Sequence, residues 1–147
     1  MAKKLVLVFF FIGEFLLAQE EAPGNQAITL NWQLQNSGLQ ASIRGICAVD
    51  DKTAWISGSG GQFAITKNGG ETWQPGKVPD ADSLDFRDVE AFANGTTYLL
   101  SAGNGEKSRI YKSTDGGNSW KLQFTNPYPQ GFFSALAFWG VENGIAF

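Results

Sequence analysis

The sequence predicts an all-β protein built from repeated four-stranded antiparallel units, and three observations support this prediction. The 147 residues include 18 glycines, 14% aromatic residues and only 17% charged residues. This composition is typical of a turn-rich all-β protein and not of a helix bundle or a disordered chain. In addition, one stretch of sequence is written twice and begun a third time, and each complete copy ends in a glycine-rich turn with a tryptophan.

The two complete copies have the spacing of a repeat protein. The first runs from Ile43 to Trp73 and the second from Phe86 to Trp120. The two tryptophans that close the copies are 47 positions apart, from 73 to 120. This spacing falls in the range of roughly 40 to 50 residues that is found for propeller blades.

Each copy contains four strand-like runs that are separated by turn residues. The predicted strands are residues 42–49, 53–57, 62–66 and 72–75 in the first copy, and 86–93, 97–102, 108–113 and 119–125 in the second. Asn94-Gly95 is a strong two-residue hairpin signal. A four-stranded antiparallel unit of this size is one blade of a β-propeller.

A third copy begins near the end of the sequence. Residues 133–138 parallel the first strand, 142–144 the first turn and 145–147 the start of the second strand. Because two blades and a fraction cannot close a ring, we expect an incomplete propeller. The predicted organisation is a signal peptide (1–18), a polar leader (19–30), blade 1 (31–80), blade 2 (81–127) and the start of blade 3 (128–147).

The N-terminal residues are typical of a secretory signal peptide. Lys3 and Lys4 precede an apolar run from Leu5 to Leu17, and the small residue Ala18 follows it. We expect cleavage near Ala18, a secreted or bacterial periplasmic protein, and no stable membrane span. An uncleaved N-terminal anchor is the alternative that the sequence leaves open.

Composition excludes several classes of function. The net charge is −3 and no basic block is present, so nucleic-acid binding is not expected. The chain has no histidine, which removes Ser-His-Asp and Cys-His catalysis and His-containing zinc sites. Carboxylates are too few for a calcium loop and no phosphate-binding loop occurs. We therefore expect no metal, no cofactor and no catalytic residue in these 147 residues.

The motif that ends each copy has residue types suited to a tight hairpin. Residues 113–120 fit the pattern S/T-x-D-x-G-x-S/T-W, in which the carboxylate accepts backbone N–H bonds across its own turn. The glycines permit positive φ, and the tryptophan supplies an apolar plate to bury beneath the turn. Asn68 replaces the aspartate in the first copy, and we expect that turn to survive because an amide oxygen also accepts. The predicted structural positions are Thr66, Asn68, Gly70, Thr72 and Trp73, and Ser113, Asp115, Gly117, Ser119 and Trp120.

At these residues the chain resembles the Asp-box (BNR repeat) β-propellers of the sialidase-like superfamily, from about residue 31 to residue 147. Within them it is most similar to secreted proteins that resemble the photosystem II assembly and stability factor. That resemblance implies a scaffold that binds or assembles another protein. The superfamily also contains glycoside hydrolases, so the alternative is a carbohydrate-binding hydrolase whose catalytic residues lie outside this sequence. A catalytic carboxylate pair could be drawn here from Asp85, Asp88 and Glu90, but we favour the interpretation that they lie at a solvated strand end.

Arg44 and Arg87 are the candidate binding residues. They occupy equivalent positions near the start of the first strand in successive copies. Equivalent positions form a ring in a radial fold, and the resemblance implies an arginine patch that grips carboxylates on a partner. The third copy has Ser134 or Ala135 at this place, so the ring is not continuous. The alternative is that both arginines pair within the chain, with Asp85 or Asp88.

Overall fold

Ten strands form three antiparallel sheets in the computed structural model, which describes residues 31–147. In the two four-stranded sheets, spatial order follows chain order, so every neighbouring pair is a hairpin. All strands belong to one unit, residues 34–147. The predicted signal peptide (1–18) and polar leader (19–30) lie outside the described residues.

The strands are grouped by sheet. The first sheet comprises β1 (Ile43–Ala48), β2 (Ala54–Gly58), β3 (Gln62–Thr66) and β4 (Gln74–Lys77). The second comprises β5 (Asp85–Ala91), β6 (Thr97–Ala102), β7 (Arg109–Ser113) and β8 (Lys121–Thr125). The third comprises β9 (Leu136–Gly140) and β10 (Asn143–Ala146). A single 3₁₀ turn, Gly105–Lys107, precedes β7.

The third sheet differs from its predicted limits. Its first strand starts at Leu136 and not at Phe133, although Ser134 and Ala135 still exchange backbone hydrogen bonds with Phe147. Phe133 itself contacts the second sheet. The backbone N–H of Phe133 donates to Ser108 Oγ at 3.1 Å, and its ring packs into an apolar cluster with Leu136. Asn143 and Gly144, predicted as a turn, lie in β10. The reversal therefore falls at residues 141–142.

Strand pairing gives the structural equivalence of the first two sheets. Ile46 pairs with Ile56 in the first sheet, as Val89 pairs with Leu99 in the second, an offset of 43 residues in both strands (46 to 89, 56 to 99). From the third strand onward the offset is 47 (66 to 113). The four additional residues lie between β6 and β7, where the 3₁₀ turn occurs.

Consecutive sheets pack face to face. The first sheet buries Trp55, Phe63 and Ile65 against the second, which contributes buried residues that include Val89, Leu99 and Tyr111. The second sheet in turn buries Tyr98 and Leu100 against Leu136 of the third. Burial of each large apolar side chain contributes about 1.5–3 kcal/mol. The two apolar clusters therefore hold the three sheets in a row.

The first strands of consecutive sheets lie side by side. Ser57 Oγ donates to the carbonyl of Phe86 at 3.1 Å, and Asp88 Oδ2 accepts the N–H of Leu136 at 2.6 Å. A Cβ at Gly45 would lie 2.6 Å from Ser57 Oγ and 3.0 Å from the Cα of Asp88, so a larger residue would force these neighbours to shift. This arrangement places equivalent positions of β1 and β5 next to each other.

Candidate functional site

Arg44 and Arg87 both lie at β-bulges. Ile43 pairs with Gly58 and Gly45 pairs with Ser57, so Arg44 is the extra residue in β1. The pairing of β5 skips Arg87 in the same way, between Phe86 and Asp88. A bulge leaves its extra residue unpaired, bends the strand and redirects the side chain. We name these two residues the arginine pair.

Arg44 faces one carboxylate. Its Nε lies 3.6 Å from Asp85 Oδ2, and the two side chains are 44% and 32% exposed. That distance exceeds a good hydrogen bond, and an exposed ion pair of this kind contributes only about 0–1 kcal/mol. Asp85 Oδ1 is buried and has no hydrogen-bond partner among the described residues. The ion pair between Arg44 and Asp85, which the sequence left open as an alternative, is therefore present but weak.

Arg87 has an aromatic partner instead of a carboxylate. Its guanidinium carbon lies 5.8 Å from the centre of the Phe132 ring, within cation–π range. No acidic side chain within residues 31–147 forms an ion pair with it. Phe132 is half exposed and was not predicted as a site residue. Phe132 lies outside both complete copies of the repeat, and no sequence pattern around it indicates that its ring contacts Arg87.

Asp88 is held by the backbone and does not pair with Arg87. Its Oδ1 accepts the N–H of Val89 at 2.9 Å and its Oδ2 accepts the N–H of Leu136 at 2.6 Å. Burial, and secondarily the Asp88 carboxylate, raise the pKa of Glu90. Because Oδ2 of Asp88 links β5 to β9, a catalytic role for this carboxylate would disrupt the contact between the two strands.

The first and second Gly-Gly turns, residues 66–73 and 113–120, share one set of internal hydrogen bonds. Thr66 Oγ1 accepts the N–H of Gly70 at 2.8 Å, and Ser113 Oγ accepts the N–H of Gly117 at 2.9 Å. These hydroxyls end β3 and β7 and are almost fully buried. Each turn is therefore closed by the residue that ends the preceding strand.

The third residue of each turn, Asn68 in the first and Asp115 in the second, differs in charge but makes its hydrogen bonds at the same position. Asp115 Oδ1 accepts the N–H of Ser119 at 2.9 Å, and Asn68 Oδ1 accepts the N–H of Thr72 at 3.0 Å. The side-chain hydrogen bond to the hydroxyl has opposite directions in the two turns. Asp115 Oδ2 accepts from Ser119 Oγ, whereas Asn68 Nδ2 donates to Thr72 Oγ1. The amide thus forms the same closed turn.

The carboxylate of Asp115 accepts three hydrogen bonds within its own turn. The hydroxyl of Ser119 chiefly, then the Ser119 amide and the Ser113 hydroxyl, lower the pKa of Asp115 to about 2. An acid held in this way is ionised at neutral pH and has little capacity left for a ligand. Within residues 31–147, no three Cys, Asp or Glu side chains are grouped as a metal site requires.

The two motif tryptophans contact different partners. Trp120 packs against the first sheet, with ring centres 6.2 Å from Trp55 and 5.2 Å from Phe63. Trp73 is half-buried and its Nε1 donates to Gln35 Oε1 at 3.2 Å. The tryptophan of one copy is thus part of the contact between sheets.

The fold matches that of known β-propellers. A structure described as YCF48 bound to D1 peptide superposes with a TM-score of 0.60 at 24% identity, over 72% of this chain and 34% of that chain. YCF48 from Cyanidioschyzon merolae gives 0.52 and 22%, over 66% and 31%. The chain therefore spans about a third of the length of these structures.

Other comparisons leave the assignment at the level of fold. No protein-family model and no curated protein matches the chain. Within the described part of the chain, no helix is both long enough and apolar enough to cross a bilayer. The four-stranded sheets and the structural neighbours together show an all-β fold of the β-propeller type.

Proposed function

We propose that this chain is part of an exported β-propeller scaffold that binds acidic groups of a protein partner through the arginine pair, in the manner of an assembly factor. One observation carries the proposal: Arg44 and Arg87 lie at equivalent bulges of adjacent strands, and Arg87 has no carboxylate partner within residues 31–147. Guanidinium groups bind carboxylates with paired, charge-assisted hydrogen bonds.

The chemistry of the site favours a peptide over a sugar. Phe132 is 46% exposed beside Arg87, so a partner would meet a cation and an apolar ring together. An acidic peptide offers both a carboxylate and apolar side chains. The structural neighbour bound to a peptide supports the same class of ligand. No contact among the described residues favours the alternative of glycoside hydrolysis.

Two further parts of the proposal rest on sequence. We interpret both Gly-Gly turns as Asp boxes with a structural role, because their polar side chains are used within the turn. Export to the periplasm or the exterior is proposed from residues 1–18 alone, which have the order of a signal peptide.

The test compares a double variant, Arg44→Ala with Arg87→Ala, with a matched control, Arg109→Ala. Arg109 lies on β7 and its Nε donates to the carbonyl of Glu106 at 2.7 Å. The probes are immobilised peptides rich in Asp and Glu, and the same peptides with Asn and Gln. Loss of one charge-assisted hydrogen bond costs about 1.5–3 kcal/mol, and every 1.4 kcal/mol is roughly tenfold in affinity.

We expect the double variant to lose at least about tenfold in affinity for the acidic peptides. Its melting temperature should fall no further below that of the wild type than the melting temperature of Arg109→Ala does. The amide peptides should bind weakly to every form of the protein. A fall in melting temperature with unchanged peptide capture would show that the arginine pair is structural and would overturn the proposal.

A further inference from the structure

Asp85 and Phe132 occupy equivalent positions near the start of the second and third sheets. Each lies four residues before the buried residue of a first strand, Val89 in β5 and Leu136 in β9, and strand pairing makes those two residues equivalent. Each also lies against one member of the arginine pair, although one side chain is a carboxylate and the other an aromatic ring. The same position therefore gives the two arginines different neighbours.

Arg44 is the member with a charged neighbour. Its Nε lies 3.6 Å from Asp85 Oδ2, while Asp85 Oδ1 is buried without a hydrogen-bond partner among the described residues. A carboxylate that stabilises the fold uses its oxygens on backbone N–H groups, as Asp88 does with those of Val89 and Leu136. The charge of Asp85 is thus directed at Arg44 and not at the backbone.

Arg87 is the member that lies over an aromatic ring. Its guanidinium carbon is 5.8 Å from the centre of the Phe132 ring, and in the described part of the chain no acidic side chain forms an ion pair with it. A ring attracts the cation without neutralising it. Although the two arginines lie at equivalent bulges, they are therefore unequal as binding groups for a carboxylate.

We propose that Asp85 determines the specificity of the arginine pair by competing with the acidic partner for Arg44, which leaves Arg87 as the principal binding group. This inference rests on the proposed function. A carboxylate of the partner has to displace Asp85 from Arg44 or bind against its repulsion, since like charges placed together oppose association. A ligand with a single carboxylate is therefore expected at Arg87, beside the Phe132 ring.

The experiment measures the affinity of the full chain for the same acidic peptides. Asp85→Asn keeps the shape of the side chain and removes its charge, so it should raise the affinity about two- to fivefold, the range that corresponds to an exposed ion pair. Arg44→Ala should lose less affinity than Arg87→Ala, because Asp85 already neutralises part of the charge of Arg44. When both changes are made in the Asp85→Asn background, the two losses should become more nearly equal.

Asp51→Asn is the matched control, because it removes the same charge from an exposed position beyond the other end of β1. From Arg44 to Ala48 the strand extends about 13 Å at roughly 3.3 Å per residue. That length exceeds the distance of about 8 Å over which charges interact at physiological salt. Asp51→Asn should therefore bind the acidic peptides as the wild type does.

A second pair of variants tests the same position in the next sheet. Phe132→Asp gives Arg87 the carboxylate neighbour that Arg44 already has, and Phe132→Asn removes the ring without adding a charge. Phe132→Asp should bind the acidic peptides more weakly than Phe132→Asn. Equal affinities of these two variants would contradict the proposal.

The outcomes distinguish this inference from the proposed function. Unchanged affinity in the double variant Arg44→Ala with Arg87→Ala overturns both. If that double variant loses binding but Asp85→Asn binds no more tightly than the wild type, the arginine pair binds the partner and Asp85 does not compete for it. A rise in affinity that is equal in Asp51→Asn and Asp85→Asn would be an effect of net charge and would also overturn the inference.

Discussion

The two Gly-Gly turns have the same internal hydrogen bonds but different surroundings. Gly117 lies against Trp55 and Phe63 of the first sheet, and Trp120 packs on the same two rings. Gly70 lies against the single polar side chain of Gln35. The motif therefore determines the shape of the turn, while the neighbouring sheet determines how much the turn contributes to the stability of the fold.

The largest difference is expected between the two motif tryptophans. Trp120→Ala removes a ring from the contact between the first two sheets and should destabilise the protein by about 3 kcal/mol, the lower end for loss of a large aromatic side chain. Trp73→Ala removes a half-buried ring whose one hydrogen bond goes to Gln35, and its loss should cost about 1 kcal/mol. Denaturant unfolding measures both. Equal losses of unfolding free energy in the two variants would show that the neighbouring sheet does not determine how much each turn contributes to stability.

A smaller difference is expected between the two second glycines of the turns. Both adopt positive φ, 89° at Gly70 and 88° at Gly117, so alanine is strained at either position by about 1–3 kcal/mol. Gly117→Ala also places a methyl group 2.8 Å from Trp55 and 3.2 Å from Phe63, which adds overpacking of about 1–3 kcal/mol. At Gly70 the exposed Gln35 side chain can rotate away.

Comparison of Gly117→Ala with Gly70→Ala therefore removes the backbone strain common to both, and sets the packing cost at Gly117 against the hydrogen bonds that Gln35 loses when it rotates away from Gly70. The measurement is again the free energy of unfolding in denaturant. A larger loss for Gly70→Ala than for Gly117→Ala would contradict the idea that the second turn is the one supported by the core.

Most of the fold could be predicted from local sequence. The hairpin at Asn94-Gly95 was predicted and is present, but its loop has three residues, 93–95, and not two: the N–H of Phe92 donates to Thr96 O at 2.9 Å and the N–H of Gly95 donates to Phe92 O at 3.0 Å. The all-β class and the propeller type were also predicted correctly. Hairpin signals, glycine-rich turns and alternating apolar residues are local, and here every four-stranded sheet is built from local hairpins. The start of β9 was placed three residues too early, at Phe133, whose N–H instead donates to Ser108, distant in sequence.

Less of the candidate site could be predicted, for a physical reason. The repeat placed Arg44 and Arg87 at equivalent positions, but it did not predict that both lie at bulges. A bulge forms where two residues of one strand lie opposite a single residue of the partner strand. The match of Arg87 with Phe132 and the use of Asp88 by Leu136 depend on the contact between the second and third sheets. Those contacts bring together residues that no pattern within one copy relates.

The smallest expected effect concerns the charge that distinguishes the turns. The pKa of Asp115 is lowered from its usual 3.8 to about 2 in the folded state, chiefly by the hydroxyl and amide of Ser119. A carboxyl whose folded pKa is depressed contributes stability that is fully present above its unfolded pKa. That contribution is lost as pH falls from about 4 through about 2. Asn68, at the same place in the first turn, carries no such dependence.

Two exchanges test this difference. Asp115→Asn should unfold with a shallower dependence on pH between about 4 and 2 than the wild type, and Asn68→Asp with a steeper one. Asp50 and Asp82 also have lowered pKa values, but they are common to all three proteins and cancel in the comparison. Denaturant unfolding at several pH values gives the slopes. Parallel slopes for the wild type and Asp115→Asn would mean that the turn forms equally in the unfolded chain, since only a pKa that differs between the two states produces a slope.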